Sequence, residues 1–421
     1  MSIARASIRY FSFEIDPSIS LFMKTSSSAS PAHPINRYGS VGADSKEYAI
    51  DRVEAVIVDL PLRRQHFHAS GTHAGQSLVI VTIGTKCGAV GIGEGGTPAG
   101  TAFWGGESVE TIKLMIDRYL GPAIIGRNVF AYEALLAAMD RAASHNQFAK
   151  AAVDVALHDL VGRLLDIPVA VLYGGRMRES IPVLWALAAA TFEADVEDAG
   201  RQLEQRYHRF FKIKIGKRDP NAEAQRAIKT AEAIRNISNE ATFSVDLNQA
   251  WDEPTAATLL PRLQDAGFSL VEQPVPHWNV AAMSRLAARL DMPILSDESL
   301  WDLHDVFDAA ARRSTDVYAV KIAKGGGIRR AYKGAAVAEA AGLPLYGGMA
   351  LESSLGTAAG LQLFSALGEL PWGCELIGPR LLAEDLTTEP TVYRDFEVIV
   401  PDGPGLGVTV DMDRVTHFTR A

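Results

Sequence analysis

The chain has 421 residues, 48% hydrophobic and 22% charged, and its 41 Lys and Arg against 50 Asp and Glu leave a net charge of −9. That is the composition of a soluble globular protein, long enough for an α/β barrel of about 250 residues plus a second unit. It excludes the basic footprint of a nucleic-acid binder and, with no apolar run of roughly 20 residues, a membrane span. Two cysteines, Cys87 and Cys374, are too few for a disulfide scaffold and lack CxxC spacing, which points to a reducing cytoplasm.

Residues 1–48 read as a disordered N-terminal extension: 23–48 are rich in Ser, Ala and Pro, Glu14 and Asp16 interrupt any signal-like core, and Met23 is an alternative start. From about residue 49, DRVEAVIVDLPL and SLVIVTIGTKCGAVGIGEG are β-branched runs broken by glycine, the pattern of an antiparallel meander. Helical spacing follows in SVETIKLMIDRYL, VFAYEALLAAMDRAA and FAKAAVDVALHDLVGRLL. Residues 49–178 are therefore expected to form an α+β capping domain.

Beyond Gly174-Gly175, short apolar runs begin at Ile181, Phe210, Thr242, Phe268, Pro293, Val317, Leu343 and Gly373, 24 to 32 residues apart, with helical stretches between them. A strand plus a crossover helix needs about that length, so 179–379 predicts an α/β fold of the (β/α)8 TIM-barrel type. Residues 380–421, with VYRDFEVIVPDGPGLG, fall outside the count and are expected to return to the capping domain.

In such a barrel the chemistry lies at the C-terminal strand ends. The third strand ends in Asp246-Leu-Asn248, the fourth in Glu272-Gln273-Pro274 and the fifth in Asp297-Glu298-Ser299. Three carboxylates at one height repel each other unless a cation sits among them, and oxygen donors suit Mg²⁺ or Mn²⁺. Lys212 and Lys214, two apart in FFKIKIG, share a strand face, and two charges cannot both enter the helix layer, so they point into the barrel mouth. Lys321 on the sixth strand lies opposite; Lys324, three residues on among glycines, has the wrong parity and reads as a loop residue. Two neighbouring ammonium groups near a dication predict a lowered Lys pKa, suited to moving a proton α to a carboxylate while the ion stabilises the enediolate. A Schiff-base aldolase also uses a sixth-strand Lys, but has no need of three acids.

At KIKIG, DLN, EQP, SDES, KIAKGGG, LYGGM-LE and ELIGP, followed by EDLTTEPTVYRDF, the sequence resembles the enolase superfamily and, within it, the muconate lactonizing enzyme (muconate cycloisomerase) group. The resemblance covers the chain from about residue 50. It implies that Asp246, Glu272 and Asp297 bind Mn²⁺ or Mg²⁺, that Lys214 is the general acid/base with Lys212 as electrostatic support, that Lys321 stabilises the intermediate, and that Glu375 contacts the substrate carboxylate. Asn248, Glu298 and Glu352 are further candidates around the substrate. The family closes its site with two loops, expected here within 63–75 and 93–106, where His66, His68, Phe103 and Trp104 are candidates for shaping substrate choice. The seventh strand has no His, unlike mandelate racemase, and Gly373-Cys374-Glu375-Leu376 lacks the Asp-x-Asp of dipeptide epimerases. The implied reaction is therefore reversible lactonization of a small dicarboxylate, cis,cis-muconate, in aromatic catabolism. Chloromuconate cycloisomerase, o-succinylbenzoate synthase and N-acylamino acid racemase are the alternatives. The resemblance also implies a homo-octamer.

Overall fold

A computed structural model describes residues 46–420 except 69, 70, 190 and 217, and only the backbone of 64–74. The extension expected over 1–48 lies outside the described residues up to position 45. No helix among the described residues is long and apolar enough to cross a membrane.

The meander is an antiparallel sheet of β1 (Ile50–His68), β2 (Gly71–Thr85) and β3 (Val90–Gly95). The segment 63–75, expected as a loop, is instead the end of the β1–β2 hairpin, with His66 paired to His73 and His68 to Gly71. Helices α1 (Val109–Met115), α2 (Tyr132–Ala142) and α3 (Gln147–Leu165) follow. The glycines that alternate along β3 have a packing reason. A Cβ on Gly91 or Gly93 would stand 2.4 Å from a carbonyl oxygen of α3, and the almost wholly buried α3 can lie on the strand only because those side chains are missing.

The short strand β4 (Ser180–Pro182) is followed by seven parallel strands, β5 (Trp185–Leu187), β6 (Phe210–Lys214), β7 (Thr242–Asp246), β8 (Leu270–Glu272), β9 (Ile294–Ser296), β10 (Val317–Val320) and β11 (Leu345–Gly347), paired in chain order. Between them run α4 (Phe192–Glu204), α5 (Pro220–Ile237), α6 (Glu253–Asp265), α7 (Val280–Ala287), α8 (Leu303–Arg312), a single turn α9 (Ile322–Gly325) and α10 (Ile328–Ala340), with α11 (Ser354–Ala366) after β11. Two details differ from the eight even strands expected. The run from Ile181 divides, β4 leaving the barrel to pair with β13 (Glu397–Ile399), itself paired with β12 (Tyr393–Arg394). The run from Gly373 is reduced to a bridge, Cys374 closing the ring between Val183 and Gly347. The last residues lie on the meander, where Thr419 bridges to Val58 and Arg420 pairs with Asp59.

Apolar residues from both sheet and helices fill the space between strands and helices, while Leu184, Leu270, Leu295, Val317, Ala319 and Tyr346 form a separate cluster. The side chains of β5–β11 that alternate away from the helices therefore face a narrow interior, and polar ones are admitted only where they find partners.

Candidate active site

Register puts the chemistry in one row. Lys214 is paired with Asp246, and Asp246 with Glu272, on three adjacent strands. Asp297 follows immediately after β9, whose Leu295 pairs with Glu272. Asp246, Glu272 and Asp297 are each no more than 2% exposed. None of them caps a helix; that work falls to Asp219, Asp252 and Asp302.

The lysines face inward as strand parity requires. Lys212 donates to Glu272 at 2.5 Å and to Glu375 at 2.6 Å. Lys214 donates to Asp246 at 2.7 Å and to Asn248 Oδ1 at 3.3 Å, and Lys321 donates to Asp297 Oδ2. β6 and β10 are separated by three strands in the sheet, so Lys214 and Lys321 stand on opposite walls of one pocket. Asp246, Glu272, Asp297, Asn248, Glu298 and Glu375 line that pocket as well. Lys212 and Glu352 do not line it: Lys212 is held behind Glu272 and Glu375, and Glu352 accepts the Ala350 N–H at 2.8 and 2.9 Å.

The cap covers the pocket with Pro98, Phe103 and Trp104. Trp104 packs against Phe148 and Trp301 and lays its ring 4.9 Å from the Lys321 ammonium. Phe103 is 58% exposed at the mouth. The backbone of 63–75 carries His66 and His68, whose side chains lie outside the described residues.

Charge is unevenly balanced here. Burial and the Asp246 charge push Glu272 up to about 8, and burial with Asp297 pushes Glu298 to about 7. Burial works against the Asp297 carboxylate, but Lys321 and Lys324 hold its pKa well below the usual range. The lowered Lys214 pKa is expected beside a dication, and the protein's own groups alone act on balance in the other direction. Burial and Lys212 do depress it, yet Asp246, Glu375 and Glu272 outweigh them and raise it above the ordinary lysine value.

Sequence reasoning misplaced Lys324. It is wholly buried and donates to Asp297, because the chain passes from strand to helical turn at Ile322 and strand parity no longer applies. Also missed were Gln273, which receives the Asp297 N–H, and Met349–Leu351 on the pocket wall. The non-glycine residues Asn248, Gln249, Gln273 and Leu351 all have positive φ at these strand ends, a strain that marks the site but leaves no trace in composition.

Among the described residues no three His, Cys, Asp or Glu side chains are drawn together as a ready metal cluster, each of the three acids leaning on a lysine instead. The donor set nevertheless fits a hard dication. Asp246 and Asp297 both raise the Glu272 pKa, so the three carboxylates are mutually repelling neighbours, and Glu298 Oε2 is buried without a partner beside them.

Residues 52–174 match the N-terminal domain family of mandelate racemase and muconate lactonizing enzyme, and residues 194–414 the enolase C-terminal domain-like family. A chloromuconate cycloisomerase of Cupriavidus necator is 46% identical over 372 residues, covering 88% of this chain and 99% of that protein. Muconate cycloisomerase 1 of Rhodococcus opacus is 39% identical over 374 residues, covering 89% and 99%. The crystal structure of the muconate lactonizing enzyme from Pseudomonas fluorescens complexed with muconolactone superposes with a TM-score of 0.86 at 40% identity, covering 89% of this chain and all of that one. With both domain families matched in order and relatives covered almost end to end, the chain belongs to the mandelate racemase/muconate lactonizing enzyme family of the enolase superfamily.

Proposed function

We propose that this protein is a muconate cycloisomerase that interconverts cis,cis-muconate and muconolactone. The observation that carries the reading is the pair Lys214 and Lys321 on opposite walls of a pocket floored by Asp246, Glu272 and Asp297, in a chain whose relatives are cycloisomerases. A dicarboxylate placed there has an ammonium on each side, which also resolves the mismatch between an anionic substrate and a net charge of −9.

In the proposed reaction one substrate carboxylate adds to a carbon of the conjugated diene, forming the ring C–O bond. The displaced π pair moves onto the α-carbon and the other carboxylate, giving an enediolate. Lys214, in its ammonium form, delivers a proton to the α-carbon and takes it back in the reverse direction. Lys321, beneath the Trp104 ring, offsets charge on the opposite face. Asp246, Glu272 and Asp297 are the proposed ligands of Mn²⁺ or Mg²⁺, which when bound would stabilise negative charge developing on the substrate carboxylate. Glu375 lines the pocket while accepting from Lys212 and from Tyr346 at 3.2 Å, so its action on substrate is to set local polarity from a fixed position. A homo-octameric, cytoplasmic enzyme of aromatic catabolism completes the reading.

The test is loss of the diene's ultraviolet absorbance when cis,cis-muconate is supplied with Mn²⁺, with 3-chloromuconate in parallel. Muconolactone formation is expected. Faster turnover of 3-chloromuconate would reassign the substrate, and no turnover of either would overturn the proposal.

A further inference from the structure

Lys324 is fully buried, absent from the pocket wall, and tied to one residue. Its ammonium donates to the main-chain carbonyl of Asp297 at 2.7 Å and to Asp297 Oδ1 at 2.8 Å. Lys321 donates to Oδ2, and the Asp297 N–H donates to Gln273 Oε1 at 3.1 Å. Every polar atom of Asp297 is thus engaged, and its main-chain carbonyl and Oδ1 are held by the same ammonium. Neutralising one carboxylate needs one cation, and Lys321 already supplies it. A second buried lysine also answers the wider negative charge of the site, Glu298 included, but two bonds to a single residue go beyond charge balance.

The turn that presents Lys324 is clamped from the cap. Gly326 and Gly327 take φ of +83° and +120°, and Asp154 of α3 accepts the Ile328 N–H at 2.6 Å at the head of α10. A Cβ on Gly327 would lie 2.2 Å from Asp154 Cγ. Asp154 in turn accepts from the Tyr132 hydroxyl at 2.6 Å. The position of the Lys324 ammonium is therefore fixed from two sides.

We infer that Lys324 is a positioning residue, which locks the side chain and strand-end carbonyl of Asp297 in one orientation so that the carboxylate presents the same face to a bound divalent cation. The inference rests on the reading of Asp297 as a metal ligand. It sets a direction of effect. A lysine acting only as a nearby positive charge would repel the ion, and its removal would tighten binding. A lysine that orients the ligand does the reverse, since losing an outer partner of a metal ligand weakens affinity about 10–100-fold.

The experiment is titration of the full-length protein with Mn²⁺ in the absence of substrate, following free Mn²⁺ by electron paramagnetic resonance, for the wild type, Lys324→Met and Lys324→Gln. Thermal denaturation checks that each variant is folded. Lys324→Met is expected to bind Mn²⁺ at least about tenfold more weakly, with Lys324→Gln, which keeps an uncharged N–H donor group, falling between it and the wild type. A smaller loss, unchanged affinity or tighter binding overturns the inference, as does failure of both variants to fold, which would make Lys324 purely structural. If only Lys324→Gln folds, weaker binding than wild type supports the inference and equal or tighter binding overturns it. The two readings separate cleanly. A wild type that binds Mn²⁺ but leaves muconate untouched defeats the cycloisomerase proposal alone, whereas one that turns over muconate, with Lys324→Met binding Mn²⁺ as tightly, defeats this inference alone.

Discussion

The Lys212 ammonium lies 2.5 Å from Glu272 Oε2 in the centre of the barrel, with both side chains all but sealed from water. The same ammonium reaches Glu375 at 2.6 Å and sits 5.1 Å from the centre of the Tyr346 ring. Its charge is thereby divided between two acids. Lys212 still lowers the pKa of Lys214, two residues on, but less than Asp246 and Glu375 raise it. The two lysines of one strand face thus differ in kind: Lys212 holds the floor of the site together, and Lys214 is the one that reaches the pocket.

Lys212→Met should be strongly destabilising. It leaves Glu375 buried without the ammonium it accepts from, and breaking a buried ion pair from one side costs about 3–5 kcal/mol. Urea denaturation measures it. A loss below about 1 kcal/mol, the range of an exposed pair, would show that Glu272 and Glu375 do not depend on Lys212.

Lys214→Ala should separate chemistry from assembly. The side chain is partly open to the pocket and bonded to Asp246 and Asn248, so its loss removes the proton carrier while leaving three carboxylates in place. Turnover is expected to fall by about 10³-fold, within the span of general acid–base catalysis, and Mn²⁺ binding to persist. Incorporation of solvent deuterium at the α-carbon should stop as well. Exchange at the wild-type rate in this variant would assign the proton to another group.

The sequence was most informative where one periodicity holds. Two-residue alternation alone brings Lys212 and Lys214 to the inner face of β6, and acids closing three successive strands bring Asp246, Glu272 and Asp297 to one pocket. It misled where periodicity changes: Lys324 lies one helical turn past a strand, so counting by two turns it outward when it is buried against Asp297. The division of the run at Ile181 and the shrinkage of the last strand to Cys374 depend on which neighbours remain unpaired when the ring closes, a long-range property absent from either segment. Gln249, in the pocket wall with positive φ, is held by tertiary contacts to Gln273 and His277 and carries no local turn signal.

Phe103→Ala should alter substrate binding without altering stability. The ring is mostly exposed in the free protein yet stands at the pocket mouth beside Pro98 and Trp104, so its apolar surface is withdrawn from water chiefly when a ligand fills the site. Stability should stay within about 0.5 kcal/mol, as for a surface substitution. KM for muconate should rise several-fold with kcat nearly kept, because the contact is made equally in ground and transition states. A fall in kcat at constant KM would place Phe103 in the chemistry instead.

Glu94 ties the cap to the barrel and gives stability a pH dependence of known sign. From the end of β3 its carboxylate accepts the Ser353 N–H at 2.9 Å and the Ser353 hydroxyl, at the head of α11. Burial, with Glu352 and Asp385 nearby, raises its pKa from 4.5 to about 8. The folded protein therefore retains a proton that the unfolded chain loses above about pH 4.5. Between roughly pH 5 and 8 the folded state binds more protons, so stability falls as pH rises, by up to about 1.4 kcal/mol per unit from this group. Above pH 8 both states are ionised and the slope from Glu94 ends. Glu272 and Glu298 act in the same direction over part of this window, so the contribution is read as a difference. Glu94→Gln keeps the shape of the side chain and removes the titration, and urea denaturation from pH 5 to 8 should give it a shallower decline than the wild type. Parallel declines would mean that Glu94 is already ionised at pH 5 and that Ser353 holds a carboxylate throughout.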